Sequence, residues 1–221
     1  MKRRAWMSWS SGKDSAFALA LARKQPDLEI VALLTTVTET FGRISMHGVR
    51  EELLVAQAAA TGLPLVQVRI PSPCSNADYE DRMSAALAGA LASGVDTVVF
   101  GDLYLADIRA YREEKLAKVG MRAEFPLWKK DTRALAHEMI EAGVRAVLTC
   151  VDPKQVPREL AGREFDASLL ADLPSGADPC GENGEFHTFV YAGAALRQPL
   201  AVRRGEVVER DGFVFADLLP G

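Results

Sequence analysis

The residues best equipped for chemistry stand in two clusters far apart in the chain. The first is Ser10-Ser11-Gly12-Lys13-Asp14-Ser15, where an apolar stretch at residues 5–9 gives way to an Ala/Leu-rich run. Hydroxyls, a glycine, a lysine and the free N–H groups of a helix start are the donors that a phosphate needs. Lys13 can reach a phosphate as a point charge, and Asp14 can cap the helix or help hold a Mg2+ ion. The spacing is not G-x-x-x-x-G-K-[ST], because Met7 fills the first glycine position and Asp14 the hydroxyl position. It is not G-x-G-x-x-G either. The same six residues would also make an ordinary polar turn before a well-capped helix.

The second cluster is "DPCGENGEFHT", residues 178–188. Its two carboxylates, Glu182 and Glu185, flank Asn183-Gly184 and precede an apolar run. Carboxylates so placed can bind and deprotonate ammonium, but Asn-Gly is equally the strongest short hairpin signal. Cys180 has no evident activating base beside it and reads as an inert thiol. Two lesser segments lie between the clusters. "TETFGRISMHGVR" (38–50) is a polar loop that could close over a nucleotide, with Arg43, His47 or Arg50 near phosphate or substrate. His47 could equally be a neighbour of a helix N-cap. "GDLYLADIR" puts Gly101 and Asp102 at a strand end. Gly101 there permits close approach of a nucleotide and Asp102 could bind metal or substrate, although both types are common in plain turns. Trp128, beside Lys129-Lys130, reads as a packing residue.

The elements that must position these groups alternate. Residues 5–9, 28–37, the "LPLVQVRI", "DTVVFGD" and "VRAVLTCV" runs read as buried strands. Helical runs lie between them: 14–24, "HGVREELLVAQAAATG" with Gly62 as its stop, "NADYEDRMSAALAGALASG" with Asn76 as its cap and Gly94 as its stop, "DIRAYREEKLAKVG", and "DTRALAHEMIEAG" capped by Asp131. Strand–helix–strand units in series with strands buried on both faces predict a doubly wound, Rossmann-like parallel sheet covered by helices. Ligands of such sheets sit at the carboxyl edge, where the Ser10–Ser15 loop, the segment from Thr35 to Gly48, and Gly101-Asp102 would converge. After residue 152 prolines and glycines punctuate the chain. A short helix "ASLLADL" and strands with turns at Arg204-Gly205 and Asp211-Gly212 predict a smaller β-containing lobe. The division expected is therefore 1–151 and 152–221.

Bulk composition narrows the classes. The net charge of −4 argues against broad nucleic-acid or anionic-membrane binding. Three scattered cysteines give neither a disulfide framework nor a zinc knuckle. No run approaches the roughly 20 apolar residues of a membrane span, and the charged N-terminus lacks a signal-type apolar region, so a cytoplasmic location is expected. Exposed C-terminal strands would offer edges at which a homodimer could pair.

"WSSGKDS" resembles the S-G-G-x-D-S PP-loop of the N-type ATP pyrophosphatases, in the adenine nucleotide alpha-hydrolase (HUP) superfamily. "MHGVREELLVAQAAATGLPL", "VVFGDLYLADIRAYREEKLAKVGMRAEFPLWKKDT" and "DPCGENGEFHTFV" are similar, in order, to blocks of the diphthine–ammonia ligase family and its bacterial relatives. Ser11 departs from the pattern by replacing the first loop glycine, and Ser tolerates fewer backbone conformations. The resemblance implies an ATP- and Mg2+-dependent amide ligase: a carboxylate becomes an acyl-adenylate with release of pyrophosphate, and ammonia displaces AMP. It implies that Ser10, Ser11, Gly12, Lys13, Asp14 and Ser15, with Thr35 and Gly101, bind ATP, and that Asp14 holds the metal. Lys13, Asp14, Glu182 and Glu185 are then the candidate catalytic set. His47, Gly48, Asp102, Gly181, Glu182, Gly184, Glu185, His187 and Thr188 are the candidate substrate contacts. The carboxylate would be protein-borne diphthine or, in a bacterial setting, a small metabolite. A PP-loop RNA-modifying enzyme and a non-catalytic nucleotide-binding protein stay as alternatives. The scattered cysteines and acidic balance weigh against the first, and the second cluster against the other.

Overall fold

A computed structural model describes residues 2–40, 42–44, 48–193 and 195–221. The expected alternation is present as β1 (Arg3–Ser8), α1 (Lys13–Ala22), β2 (Leu28–Thr38), β3 (Arg43–Ile44), α2 (Glu51–Thr61), β4 (Leu65–Ile70), α3 (Asn76–Ala92), β5 (Thr97–Val99), α4 (Ala106–Lys118), β6 (Arg122–Glu124) and α5 (Thr132–Glu141). Then come β7 (Arg145–Val151), a 3-10 turn (Arg158–Leu160), α6 (Ala167–Asp172), β8 (Phe186–Ala192), β9 (Val202–Arg210) and β10 (Phe213–Pro220).

Strands β4, β2, β1, β5 and β6 lie side by side in that order, all parallel, and β3 runs antiparallel to the end of β2. Successive side chains of a strand face opposite sides. In β1, Ala5 and Met7 therefore join the core under α1, α2 and α5, while Trp6 joins Leu34 and Val98 beneath Leu87 of α3 and Leu116 of α4. Covering both faces is what lets these strands be apolar throughout. β6 was not anticipated; three residues, Arg-Ala-Glu, are too short and too polar to show a strand period.

The chain winds outward from β1 through β2 to β4, then returns to the other side of β1 with β5. The strand order reverses between β1 and β5, so the loops that leave those two strands diverge and open a crevice. These loops are the Ser10–Ser15 stretch and Gly101-Asp102.

β7 differs from expectation. It is a strand, but it pairs antiparallel with β8 and β10 in a second sheet of order β8-β7-β10-β9. A run apolar on both faces announces burial, not which sheet it enters. Arg204-Gly205 is not a turn; it lies inside β9, opposite the register slip between Ala216 and Leu218 of β10. A Cβ on Gly205 would sit 3.3 Å from that of Asp217, so the glycine accommodates the bulge. Asp211-Gly212 is the turn expected, with φ of 52° and 82°. The α3 cap is Ser75 instead of Asn76, its hydroxyl accepting from the Asp78 amide at 3.1 Å. Asp131 caps α5 as predicted. Among the described residues no helix is long and apolar enough to cross a membrane.

Candidate functional site

Two cavities open beside the carboxyl edge of the parallel sheet. The smaller, about 250 Å3, occupies the crevice between β1 and β5. Ser10, Gly12, Lys13, Asp14 and Ser15 line one side of it, Gly101 and Asp102 another. Gly181, Glu182, Gly184, His187 and Thr188 enter from the second sheet and the loop before it. The two distant clusters of the sequence thus meet at one place.

No side chain caps α1. A helix start has N–H groups with no partner of their own; here Lys13 N donates to Thr188 Oγ1 at 3.1 Å and Gly12 N to Ser10 Oγ at 3.3 Å. Ser15 Oγ donates to the Gly12 carbonyl at 2.9 Å and Ser10 Oγ to Ser15 Oγ at 3.1 Å, which closes the loop on itself. Gly101 brings β5 against this helix start: a Cβ there would stand 2.9 Å from Asp14 C and Ser15 N.

Ser11, the anticipated point of departure, has φ of 68° and is fully buried, and its Oγ has no hydrogen-bond partner among the described residues. The cause lies in its carbonyl, which accepts from Val190 N at 3.0 Å and from Gln57 Nε2 at 3.0 Å. Those two bonds fix the peptide in the left-handed region that costs a side-chain-bearing residue energy.

Gln57 was not foreseen. It is fully buried on α2, accepts from Trp9 Nε1 at 2.7 Å, and also donates to the Val190 carbonyl at 2.6 Å. It thereby ties β1, the Ser10–Ser15 loop and β8 together. The available signal was a glutamine four residues after Leu53 on the apolar stripe of α2, a position where a polar side chain needs partners.

Lys13 lines the crevice, but its side chain is only 2% exposed, and Nζ donates to both Asp14 oxygens, at 3.0 and 2.8 Å, and to the Cys180 carbonyl. The rings of Phe165 and Phe186 each lie 5.4 Å from it. Burial opposes the ammonium charge, but Asp14 outweighs it and the lysine is held above its usual range. Burial likewise raises Asp14, against the pull of Lys13.

Glu182 and Glu185 have different surroundings. Glu182 lines the cavity and accepts from Leu103 N at 2.8 Å and Tyr104 N at 3.3 Å; burial nevertheless pushes it up to about 6. Glu185 is 1% exposed and lines neither cavity. It accepts from Asp178 N at 2.8 Å, Asn183 N at 2.9 Å and Asn183 Nδ2 at 3.0 Å. The 178–188 segment is therefore a compact loop wound on a buried carboxylate, not an exposed hairpin turn. Gly181 (φ 71°) and Gly184 (φ 84°) allow its bends. Burial holds the Cys180 thiol well above its usual range, consistent with an inert thiol.

Asp102 lines the cavity in an ion pair with Arg112, 3.0 Å away. Thr35 is buried within β2 and lines neither cavity. His47 lies outside the described residues. Gly48 belongs to the larger cavity, its φ of 68° and a 2.9 Å approach to the Phe215 ring excluding a Cβ. Arg43 and Arg50 do not face the Ser10–Ser15 loop; both grip Asp217 of β10, at 2.9 and 2.6 Å. Trp128 packs under the Arg109 guanidinium, 4.7 Å from its ring.

The arrangement defines a class first: an α/β protein in which a helix start without a side-chain cap, at a strand-order reversal, lines a crevice faced by Glu182 from the loop that leads into a second sheet. Residues 2–123 match the family model described as Diphthamide synthase N-terminal domain, and residues 131–216 match Diphthamide synthase C-terminal domain. The chain belongs to the diphthamide synthase family. Diphthine--ammonia ligase of Danio rerio is 26% identical across 94% of this chain and 89% of its own. The Mus musculus protein of that name is 25% identical across 94% of this chain and 85% of its own. In Schizosaccharomyces pombe the similarity, 26% identity over 90% of this chain, covers 36% of a longer protein.

Proposed function

We propose that the chain is an ATP-dependent amide ligase that joins ammonia to a carboxylic acid through an acyl-adenylate. The observation carrying this reading is the uncapped α1 start in the β1/β5 crevice, faced by Glu182. Names of the family's ligases support it. The α1 amides, with the Ser10 and Ser15 hydroxyls, hold the pyrophosphate portion of ATP. A helix start without a side-chain cap that opens into the crevice fits an anion-binding loop. A carboxylate oxygen of the acid attacks the α-phosphorus, the bond to the bridging oxygen breaks, and pyrophosphate leaves. Ammonia then attacks the acyl carbon and AMP leaves with the bonding pair.

Asp14 is the residue that would hold Mg2+, and its carboxylate, one side taken by Lys13, is a hard oxygen donor that suits it. The ion would neutralise phosphate charge. Lys13, locked between two rings, orients Asp14 instead of reaching for phosphate. Glu182, ionised above about 6, takes the proton that ammonium must lose before it can attack. Glu185 holds the loop that presents Glu182. The acid is protein-borne diphthine, as the relatives' name suggests, or a small metabolite.

Incubation with ATP, Mg2+, ammonium and a panel of carboxylic acids should release AMP and pyrophosphate. Asp14→Asn should cut that release at least tenfold. Release of ADP instead, unchanged in the variant, would overturn the reading.

A further inference from the structure

The larger cavity, about 410 Å3, lies between the carboxyl edge of the parallel sheet and the face of the second sheet. Small-molecule sites typically measure about 300–1,000 Å3, are largely apolar and favour such interfaces. Its walls fit that description: Ile44 and Ile70 come from the first sheet, and Val208, Phe213 and Phe215 from the β9–β10 hairpin. Among the described residues, His187 alone lines both this cavity and the nucleotide-side crevice.

We propose that this cavity binds the acyl substrate, a small organic acid with an apolar body whose carboxyl group meets the nucleotide crevice at His187. The inference rests on the ligase reading and adds the substrate's shape and its place. An acid to be adenylated must put its carboxylate beside the α-phosphate while its remainder lies elsewhere. On that reading the crevice holds the nucleotide, and the larger cavity adjoins it at His187, which lines both.

The charged residues that line the larger cavity balance: Arg43 is paired with Asp217, and Arg210 stands beside Asp211 at the rim. The His187 imidazole is uncharged near neutrality, because burial and the Lys13 cation hold it at about 4. An uncharged ring at the junction lets a carboxylate pass without trapping it as an ion pair.

The test uses the fluorescent probe 1-anilinonaphthalene-8-sulfonate, an anionic organic acid with an apolar body. This anionic probe should bind at one site, and ATP should not displace it. Val208→Trp fills the cavity from an edge-strand position that is 36% exposed, so folding is little burdened. It should weaken the anionic probe at least tenfold and leave the affinity for a fluorescent ATP analogue within twofold. N-ethylmaleimide gives an independent block. Cys74 lines the cavity and is half-buried, whereas Cys150 and Cys180 are buried. Alkylation should reproduce the loss, and Cys74→Ser should abolish the sensitivity. Displacement of the probe by ATP, or indifference to both blocks, would each overturn the assignment. None of these readouts requires turnover, so absence of AMP release would sink the ligase reading and leave this binding result to be judged separately.

Discussion

Ser11 shows how a single position can hold strain for the sake of a neighbour's bonds. Its carbonyl serves Gln57 and Val190, its φ is 68°, and its hydroxyl is buried without a partner. Glycine adopts this backbone freely, at some cost in unfolded-state entropy. Ser11→Gly should therefore stabilise the nucleotide-free chain by about 1 kcal/mol, seen as a melting midpoint higher by about 2–4 °C. His187 makes the pH-dependent case. Its folded pKa, about 4, lies below the ordinary 6.5 because burial and Lys13 disfavour the imidazolium. A depressed value means stability that is present above 6.5 and lost as pH falls through about 4. Unfolding free energy measured by denaturant titration should fall across that window in the wild type. In His187→Gln the slope should flatten, by at most about 1.4 kcal/mol per pH unit.

At the scale of elements, the Ser10–Ser15 loop is held by what surrounds it. α2 contributes Gln57, β8 contributes Val190 and Thr188, and β5 brings Gly101 against the start of α1. Gln57→Leu would leave the Trp9 N–H and two carbonyls without that partner. The expected cost is about 2–4 kcal/mol, since each orphaned buried group costs about 1–3 and some relaxation follows. Nucleotide affinity should fall with it, because the loop loses its backing. Chemical denaturation and titration with a fluorescent ATP analogue measure the two effects; unchanged affinity at lowered stability would confine Gln57 to a packing role.

At the scale of the molecule, the two sheets are joined across the larger cavity by Asp217 in the grip of Arg43 and Arg50. The two guanidiniums outweigh the effect of burial and hold that carboxyl below its usual range. Half-exposed pairs of this kind contribute modestly, on the order of 1 kcal/mol, and salt screens them. Asp217→Asn should lower the melting midpoint at low salt and close most of the gap to wild type at high salt. A gap that persisted at high salt would assign Asp217 a packing role and not an electrostatic one.

Local chemistry was legible in the sequence by itself: hydroxyls, glycine and acid at a strand-to-helix junction mark an anion loop, and hydrophobic period marks most strands and helices. Resemblance supplied the link to the 178–188 loop. Whatever depended on partners distant in the chain was not legible. Gln57 gains its role only by meeting Trp9, Ser11 and Val190, and an isolated glutamine on an apolar stripe names none of them. Nothing in the sequence around Lys13 announces the two aromatic rings and the Asp14 pairing that surround its ammonium. Glu182 and Glu185 are alike in type and three residues apart, yet burial makes one a cavity acid and the other a loop support. β7 carried the right pattern for a strand and no information on its sheet, because burial on both faces is common to both destinations. Periodicity is a short-range signal written by each element's own faces. Pairing, enclosure and the meeting of two cavities at His187 are long-range outcomes that only the packed chain decides.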